Sequence, residues 1–180
     1  MIGLQTRTLL VRLSYPDAVW DEAQLAWAVA RFPASNIITF VTSGMHVVEA
    51  RNRLIVEHVL PAPERIDTVV MMDHDMFPCD QTDPCLLREH DVVGARYETG
   101  SGHMPWLKTD AVHAGFLKIR RRVLHLMPSP WFWIDYSADG TRALHCECSY
   151  FCRKARAMGF SIARSGFCEH RPSRSWSQGA

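Results

Sequence analysis

The sequence predicts an α/β protein with a mixed, mostly parallel sheet flanked by helices. Three observations support this class. Short segments rich in β-branched residues alternate with longer segments of helical periodicity. Proline and glycine fall between these segments at regular intervals. Thr68–Met72 is a short apolar run, typical of a strand buried on both faces of a parallel sheet.

The first half of the chain contains three predicted strands separated by two helices. Each segment ends at a residue that breaks or caps regular structure, such as Pro33, Gly44 or Pro61. Asp17 is the predicted cap of the first helix. The predicted elements are a strand over Thr8–Leu13, a helix to about Phe32, a strand over Ile37–Thr42, a helix from Val47 to about Leu60 and a strand over Thr68–Met72.

The second half has a different pattern, with two strands before the next helix. Its predicted elements are strands over Asp91–Tyr97 and Gly115–Arg120, helices over Arg121–Met127 and Glu147–Met158, and a short strand over Phe160–Ala163. The polar Glu98–Thr109 segment between the first two is predicted to be a mobile loop or short hairpin. We expect one domain over residues 1–170 and a flexible tail over residues 171–180.

Composition narrows the range of partners and compartments. The chain has 180 residues, with 20 Lys and Arg against 19 Asp and Glu, a net charge of +1. This balance does not favour a nucleic-acid or membrane partner. We find neither an apolar run long enough to span a bilayer nor the apolar core of a signal peptide. We therefore expect a cytoplasmic protein whose six cysteines are reduced thiols.

Two carboxylates follow directly on the apolar strand that ends at Met72. Asp73 and Asp75 are one residue apart, and ligands of open α/β sheets bind beyond the carboxyl ends of strands. Neighbouring carboxylates repel each other unless a cation lies beside them, and Mg²⁺ and Mn²⁺ prefer carboxylates together with substrate phosphates. The pair therefore indicates a metal and diphosphate site, although aspartates also occur in plain turns.

Several segments in a fixed order carry a resemblance to a known family. The Asp73–Asp75 segment resembles the DxD motif of GT-A glycosyltransferases, in particular bacterial and phage members related to family 2. The other similar segments are Glu49–Leu54 (EARNRL), Asp91–Tyr97 (DVVGARY), Ala114–Arg121 (AGFLKIRR), Pro130–Phe132 (PWF), Cys146–Cys152 (CECSYFC) and Glu169–His170. The likeness covers roughly residues 8–170.

The resemblance implies a transferase that moves a sugar from a nucleotide-diphosphate donor, with UDP-sugars favoured, to a saccharide or other hydroxyl acceptor. It implies Mn²⁺, or else Mg²⁺, as cofactor. The implied metal ligands are Asp73, Asp75 and His170. The implied donor-binding residues are Arg51, Asp73, His74 and Gly115. Arg51 has a second interpretation, as a buried arginine that braces the Asp73 loop. Because the chain is small for this group, we expect either a partner chain, of which a second copy is one candidate, or a polymeric acceptor.

One departure from the family pattern concerns the catalytic base. Inverting relatives place Glu and then Asp where this chain has Glu147 and Cys148, and a thiol is a poor general base. Glu147 and Asp135 are therefore the candidate catalytic residues.

Three other functions stay open. A decayed transferase would bind nucleotide-sugar or metal without catalysis. A nucleotidyltransferase is disfavoured because Ser14–Asp17 lacks a Gly-rich basic loop. The third is a structural zinc site, for which the soft ligands are His145, Cys146, Cys148, Cys152, Cys168 and His170. The pairs Cys148 with Cys152 and Cys168 with His170 match the usual ligand spacing only loosely.

Overall fold

The computed structural model describes residues 6–97 and 111–171. The predicted loop Glu98–Thr109 and all of the predicted tail except Arg171 lie outside them. The strands are β1 (Thr8–Ser14), β2 (Ile37–Val41), β3 (Thr68–Asp73), β4 (Met76–Pro78), β5 (Val92–Arg96), β6 (Phe116–Arg120), β7 (Asp135–Tyr136), β8 (Ala143–His145) and β9 (Ile162–His170). The α-helices are α1 (Glu22–Arg31), α2 (Val47–Leu54), α3 (Asp83–Leu87), α4 (Arg121–Leu126) and α5 (Glu147–Ala157).

Seven of the described strands form one mixed sheet in the order β2-β1-β3-β6-β5-β9-β4. β1 pairs in parallel with both β2 and β3, and β5 pairs in parallel with β9. β6 lies antiparallel between β3 and β5, and β4 is antiparallel to β9. Five strands therefore run in one direction, and the predicted class, a mostly parallel α/β sheet of the GT-A type, is confirmed.

Both faces of this sheet are covered, which explains the apolar character of the central strand. Along β3, Val69 and Met71 pack into a core shared with α2, α4 and α5. Val70 and Met72, on the other face, pack into a core shared with α1 and α3. All four side chains are fully buried. No helix within residues 6–97 and 111–171 is long and apolar enough to cross a membrane.

Two element boundaries differ from the sequence prediction. The first helix begins at Glu22, and its cap is Asp21, not Asp17. Asp21 accepts a hydrogen bond from the Ala23 amide while Gln24 bonds back to the Asp21 amide, and this reciprocal capping box stabilises the start. The second helix continues to Val59 as predicted, but its last turn, Ile55–Val59, is a π-helix.

The prediction was also wrong about the last strand and omitted several short elements. β9 is nine residues long and begins at Ile162, whereas a short strand over Phe160–Ala163 was expected. Its second half pairs with β4, a three-residue strand that was not predicted. The helix α3 and the β7–β8 hairpin were also missed. The longer β9 carries its last residue, His170, to the end of the sheet where β3 finishes.

Candidate active site

The turn between β3 and β4 places two carboxylates at the carboxyl end of the central strand. β3 ends at Asp73, and β4 begins at Met76. The buried side-chain amide of Gln24 donates hydrogen bonds to the backbone oxygens of His74, at 2.8 Å, and Met76, at 2.6 Å. Gln24 on helix α1 therefore anchors the backbone of this turn, which carries Asp73 and Asp75.

Asp75 contacts His170. Met76 is paired with His170 in the β4–β9 ladder, and this register places His170 Nε2 3.2 Å from Asp75 Oδ2. The backbone amide of Arg171 donates to the Asp75 backbone oxygen at 2.9 Å. The side chains of Asp75 and His170 are 16% and 19% exposed, respectively, so the pair is only partly accessible to solvent. The structure thus brings together two of the three predicted metal ligands.

Asp73, the third predicted ligand, is bound instead by Arg51. Arg51 Nη2 donates to both carboxylate oxygens of Asp73, at 3.0 and 2.8 Å. Its Nη1 donates to Glu147 Oε1 at 3.0 Å. Arg51 is only 2% exposed and lies on α2, whereas Glu147 is the first residue of α5. This position agrees with the interpretation of Arg51 as a brace for the Asp73 loop.

The electrostatics of this cluster favour a protonated Asp73 at mildly acidic pH. Burial raises the pKa of Asp73 to about 6, and the charges of Asp75 and Glu147 add to the effect, while Arg51 offsets part of it. Burial lowers the pKa of Arg51, but the attraction of Asp73 and Glu147 outweighs it and the net pKa is raised. Arg51 is therefore a permanent cation between two carboxylates.

Two cavities flank this cluster on opposite sides. The first, of about 190 Å³, lies over the ends of β1 and β2. Its lining includes Tyr15, Thr42, Met45, Asp73, His74 and Asp75. The second, of about 120 Å³, lies beside β6 and the start of α5. Its lining includes Tyr97, His113, Gly115, Cys146, Glu147 and Cys148. Arg51, Asp73 and Glu147 line both cavities, so the ion-paired cluster forms the wall between them.

Gly115 lies where side chains from three elements converge. Its backbone oxygen accepts a hydrogen bond from the Asp73 amide at 2.8 Å. A Cβ atom at this position would lie 3.0 Å from the Tyr97 hydroxyl and 3.1 Å from Met76 Sδ. A side chain at this position would therefore require the Tyr97 ring or the Met76 sulfur to shift by a few tenths of an ångström, and glycine allows their close approach.

His74, predicted to bind the donor, lies in the wall of the first cavity. Its ring packs edge-on against Tyr15, with ring centroids 5.0 Å apart. Burial lowers the pKa of His74, so the ring is predominantly neutral at physiological pH. A neutral imidazole beside an aromatic ring can hydrogen-bond or stack on a ligand without adding charge.

Asp135, the second predicted catalytic residue, is on the β7–β8 hairpin. It forms an ion pair with Arg153 and lies 3.5 Å from His145. Asp135 is not among the residues lining either cavity. Of the two candidate bases, the structure brings only Glu147 to the cluster.

The cysteines do not gather as the zinc alternative requires. Cys148 Sγ accepts a hydrogen bond from the Ala114 amide at 3.3 Å, and Cys152 Sγ accepts one from the Val112 amide at 3.4 Å. Cys168 is buried in β9 opposite Pro78. In the part of the chain that the structure describes, only Cys146, Glu147 and Cys148 form a set of three close potential ligands.

Sequence reasoning missed three residues of the site. Tyr97 and His113 pack ring against ring, with centroids 4.8 Å apart, and line the second cavity. Tyr97 lies within the DVVGARY segment, which was interpreted only as a strand. Gln24 was missed although a buried polar residue in an amphipathic helix usually has a specific hydrogen-bond partner.

A larger cavity of about 900 Å³ lies at the opposite end of β3, beside Asp67 and Arg121. Several of its charged groups already have partners. Arg122 pairs with Asp91, and Arg121 donates to the backbone oxygens of Leu60 and Ile66. Since ligands of such sheets bind beyond the carboxyl ends of the parallel strands, the cluster at Asp73 is a better candidate site than the larger cavity.

Comparison with known proteins supports the fold but assigns no family. No family model matches the chain, and no curated protein matches it in sequence. The structure is similar to that of A197 from STIV, with a TM-score of 0.61 and 18% identity over 93% of this chain and 87% of that one.

Two structures of Drosophila β1,4-galactosyltransferase 7 are also similar. Each has a TM-score of 0.56 and 14% identity, over 96% of this chain and 74% of that one. One is a mutant in complex with manganese, UDP-Gal and xylobiose, and the other is the catalytic domain with xylobiose. At these identities the likeness concerns the fold, so we conclude that the chain has a glycosyltransferase-type fold.

Proposed function

We propose that this protein transfers a sugar from a nucleotide-diphosphate sugar, with a UDP-sugar favoured, to the hydroxyl group of a saccharide or other acceptor. The observation that carries the proposal is the cluster at the end of β3. Asp75 contacts His170, and Asp73 is linked through Arg51 to Glu147, at the wall between two cavities. The galactosyltransferase with the similar fold binds UDP-Gal, manganese and xylobiose, which supports the same chemical class here.

The Asp75 and His170 side chains fit a divalent cation. Their facing atoms are 3.2 Å apart, close to the roughly 3 Å between neighbouring ligands of an octahedral ion. A carboxylate with an imidazole suits Mn²⁺ better than Mg²⁺. A cation held there would neutralise charge on the departing nucleoside diphosphate. Both carboxylate oxygens of Asp73 accept hydrogen bonds from Arg51. The role of Asp73 as a third ligand therefore stays a prediction.

In this proposal the first cavity holds the donor. Tyr15 and His74 offer aromatic surfaces for the nucleoside, and Asp73 faces the ribose or the transferred sugar. The second cavity, beside Gly115 and Tyr97, receives the transferred sugar or the acceptor. Asp73 and Arg51 line both cavities. The bond between the sugar and the diphosphate, which is the one broken, would therefore lie next to these two residues.

Glu147 is the proposed general base. It lines both cavities, and its Oε1 is oriented by Arg51 at 3.0 Å. A general base must lie within hydrogen-bond reach of the proton that it removes, and of the two candidates only Glu147 faces the space where an acceptor would bind. Asp135 is the less favoured base because it pairs with Arg153 outside that space.

A non-catalytic nucleotide-sugar-binding protein is the alternative, and the specific observation in its favour is Cys148. This thiol is 7% exposed and accepts a hydrogen bond from the Ala114 amide. Relatives have an acid at this position, and Cys148 cannot replace it, because a hydrogen bond with Cys146 and burial raise its pKa well above the usual value. Nucleotidyl transfer is less favoured, since the Ser14–Asp17 turn lacks a basic phosphate-binding loop.

Donor hydrolysis and sugar transfer with a panel of nucleotide sugars and Mn²⁺ would test the proposal. We expect turnover by the unaltered protein and its loss in Asp75→Asn. Asp80→Asn is the matched control, because Asp80 is almost fully exposed and pairs with Arg31 away from the site. Donor binding without turnover would favour the non-catalytic alternative, and turnover that survives Asp75→Asn would contradict the proposal.

A further inference from the structure

We propose that Cys146, Glu147 and Cys148 form a second cation site, specific for a thiophilic divalent ion such as Zn²⁺. Their ligand atoms, two sulfurs and one carboxylate oxygen, lie within 4.8 Å of one another. Asp75 and His170 offer no thiol, so the two sites differ in the ions that they select.

The separations between these atoms suit a tetrahedral ion. Zinc binds sulfur at about 2.3 Å and carboxylate oxygen at about 2.1 Å, so a sulfur and an oxygen on one zinc ion are about 3.6 Å apart. Cys148 Sγ and Glu147 Oε1 are 3.5 Å apart. Two sulfurs on one zinc ion are about 3.8 Å apart. Cys146 Sγ, the third ligand atom, lies no more than 4.8 Å from the other two. It therefore needs to move by at most about 1 Å to reach the separation that zinc requires.

The position in the fold favours a thiolate at Cys146. Cys146 is the N-cap of α5, where the positive end of the helix stabilises negative charge. A hydrogen bond with Cys148 and another with Ser149 lower the pKa of Cys146. Cys148 is buried and protonated, so an ion that binds it releases a proton to solvent.

A tetrahedral ion bound to these three residues would have one further coordination position. The three residues line the cavity of about 120 Å³, so that position would be reached from the cavity. Water or a small anion would occupy that position. An ion bound to Glu147 Oε1 takes the atom that Arg51 now contacts at 3.0 Å. If Glu147 is the base of the proposed function, the bound ion therefore inhibits transfer; this consequence, unlike the binding itself, rests on that function.

Titration of the reduced full chain with Co²⁺, followed by displacement with Zn²⁺, would test the site. Thiolate-bound Co²⁺ gives a charge-transfer absorption in the near ultraviolet, which carboxylate and imidazole ligands do not. We expect one Co²⁺ per chain with this absorption, its loss on adding Zn²⁺, and proton release on binding.

Variants separate this site from the others. Cys146→Ser should at least halve the absorption per bound Co²⁺, because only the Cys148 thiolate remains, and weaken Zn²⁺ binding at least about tenfold, or about 1.4 kcal/mol. It should not unfold the chain, because serine is a better N-cap than cysteine and α5 has no side-chain cap. Cys79→Ser, at an exposed thiol, and Asp75→Asn should both retain the absorption.

Two results would overturn the proposal. One is a wild-type chain that binds Co²⁺ without thiolate absorption, or does not bind it. The other is an absorption per bound Co²⁺ in Cys146→Ser that equals that of the wild type, while the circular dichroism of the two chains also matches. Neither result depends on donor binding or transfer, so failure of this site and failure of the proposed function are distinguishable.

Discussion

His170 Nε2 lies 3.2 Å from Asp75 Oδ2, although 95 positions separate the two residues in the chain. The contact depends on the pairing of β9 with the three-residue strand β4, which places His170 opposite Met76. One short ladder therefore completes the proposed cation site. Arg51 completes the rest of the cluster, since it bonds Asp73 from α2 and Glu147 from α5.

Removal of Arg51 should strongly destabilise the fold. Arg51→Ala leaves the carboxylates of Asp73 and Glu147 partly buried without their cation, and breaking a buried pair in this way costs about 3–5 kcal/mol. Urea denaturation measures the change. Arg53→Ala is the control, because the Arg53–Glu57 pair is exposed and should contribute less than about 1 kcal/mol. Equal small losses in both variants would contradict the bracing role.

Substitution of the two candidate bases should affect the transfer rate differently. If Glu147 is the base, Glu147→Gln should lower the transfer rate by about 100-fold or more, with donor affinity within a few-fold of the wild type. Asp135→Asn should change the rate little, because Asp135 pairs with Arg153 on the hairpin. Steady-state kinetics with separate donor titrations measure both quantities. A larger loss in Asp135→Asn would reassign the base.

Cys146 should be alkylated at neutral pH before the buried cysteines Cys85 and Cys168. The hydrogen bond from Cys148 lowers the pKa of Cys146 to about 6, so its reactive thiolate predominates at pH 7. Burial raises the pKa of Cys85 to about 12 and also raises that of Cys168. Graded iodoacetamide treatment with peptide mass spectrometry measures the order. If Cys85 or Cys168 reacts as early as Cys146, the hydrogen-bonded arrangement is wrong.

Lys118 should make stability depend on pH in the alkaline range. It is 3% exposed and donates hydrogen bonds to the backbone oxygens of Leu86 and Arg88. Burial lowers its pKa from 10.5 to about 8. Between these values the unfolded chain binds more protons than the folded one, so this residue's contribution to stability rises with pH from about 8 to 10.5.

The measurement for Lys118 is the free energy of unfolding in urea at several pH values in that range. The buried thiols, whose raised pKa values make stability fall with pH, act in the opposite direction, so the Lys118 effect is the difference between two chains. Relative to Lys118→Met, the wild-type chain should gain at most about 3 kcal/mol between pH 8 and 10.5. The conservative Lys118→Arg, which keeps its charge throughout, should also lack it. If the stabilities of the wild-type chain and Lys118→Met change in parallel over this range, the effect belongs to other groups.

The parts of the fold that could be predicted are those with a local signal. β3 is an unbroken apolar run, and Asp73 and Asp75 follow it directly, so both the strand and the carboxylates at its end could be identified from neighbouring residues. The cap at Asp21 also had a local signal, the matching Gln24 three residues later, which was overlooked in favour of Asp17.

The rest depended on contacts between distant segments. Most of β9, the segment Arg164–His170, contains charged residues and glycine, and it is extended because it pairs with β4 and β5 rather than through intrinsic propensity. The Arg51–Glu147 bond joins residues 96 positions apart, and no sequence pattern indicates it. The resemblance to GT-A transferases identified the individual residues but not these pairings.

The most direct test of the central claim is thermal unfolding with a panel of nucleotide sugars, each with and without Mn²⁺. The account predicts that one nucleotide sugar stabilises the chain only when Mn²⁺ is present, by about 2.7 kcal/mol at a concentration one hundred times its Kd. Asp75→Asn should lose this stabilisation, whereas Asp80→Asn should keep it. The same stabilisation without the ion, or none with any nucleotide sugar, would contradict the claim that the end of β3 holds a cation and a diphosphate.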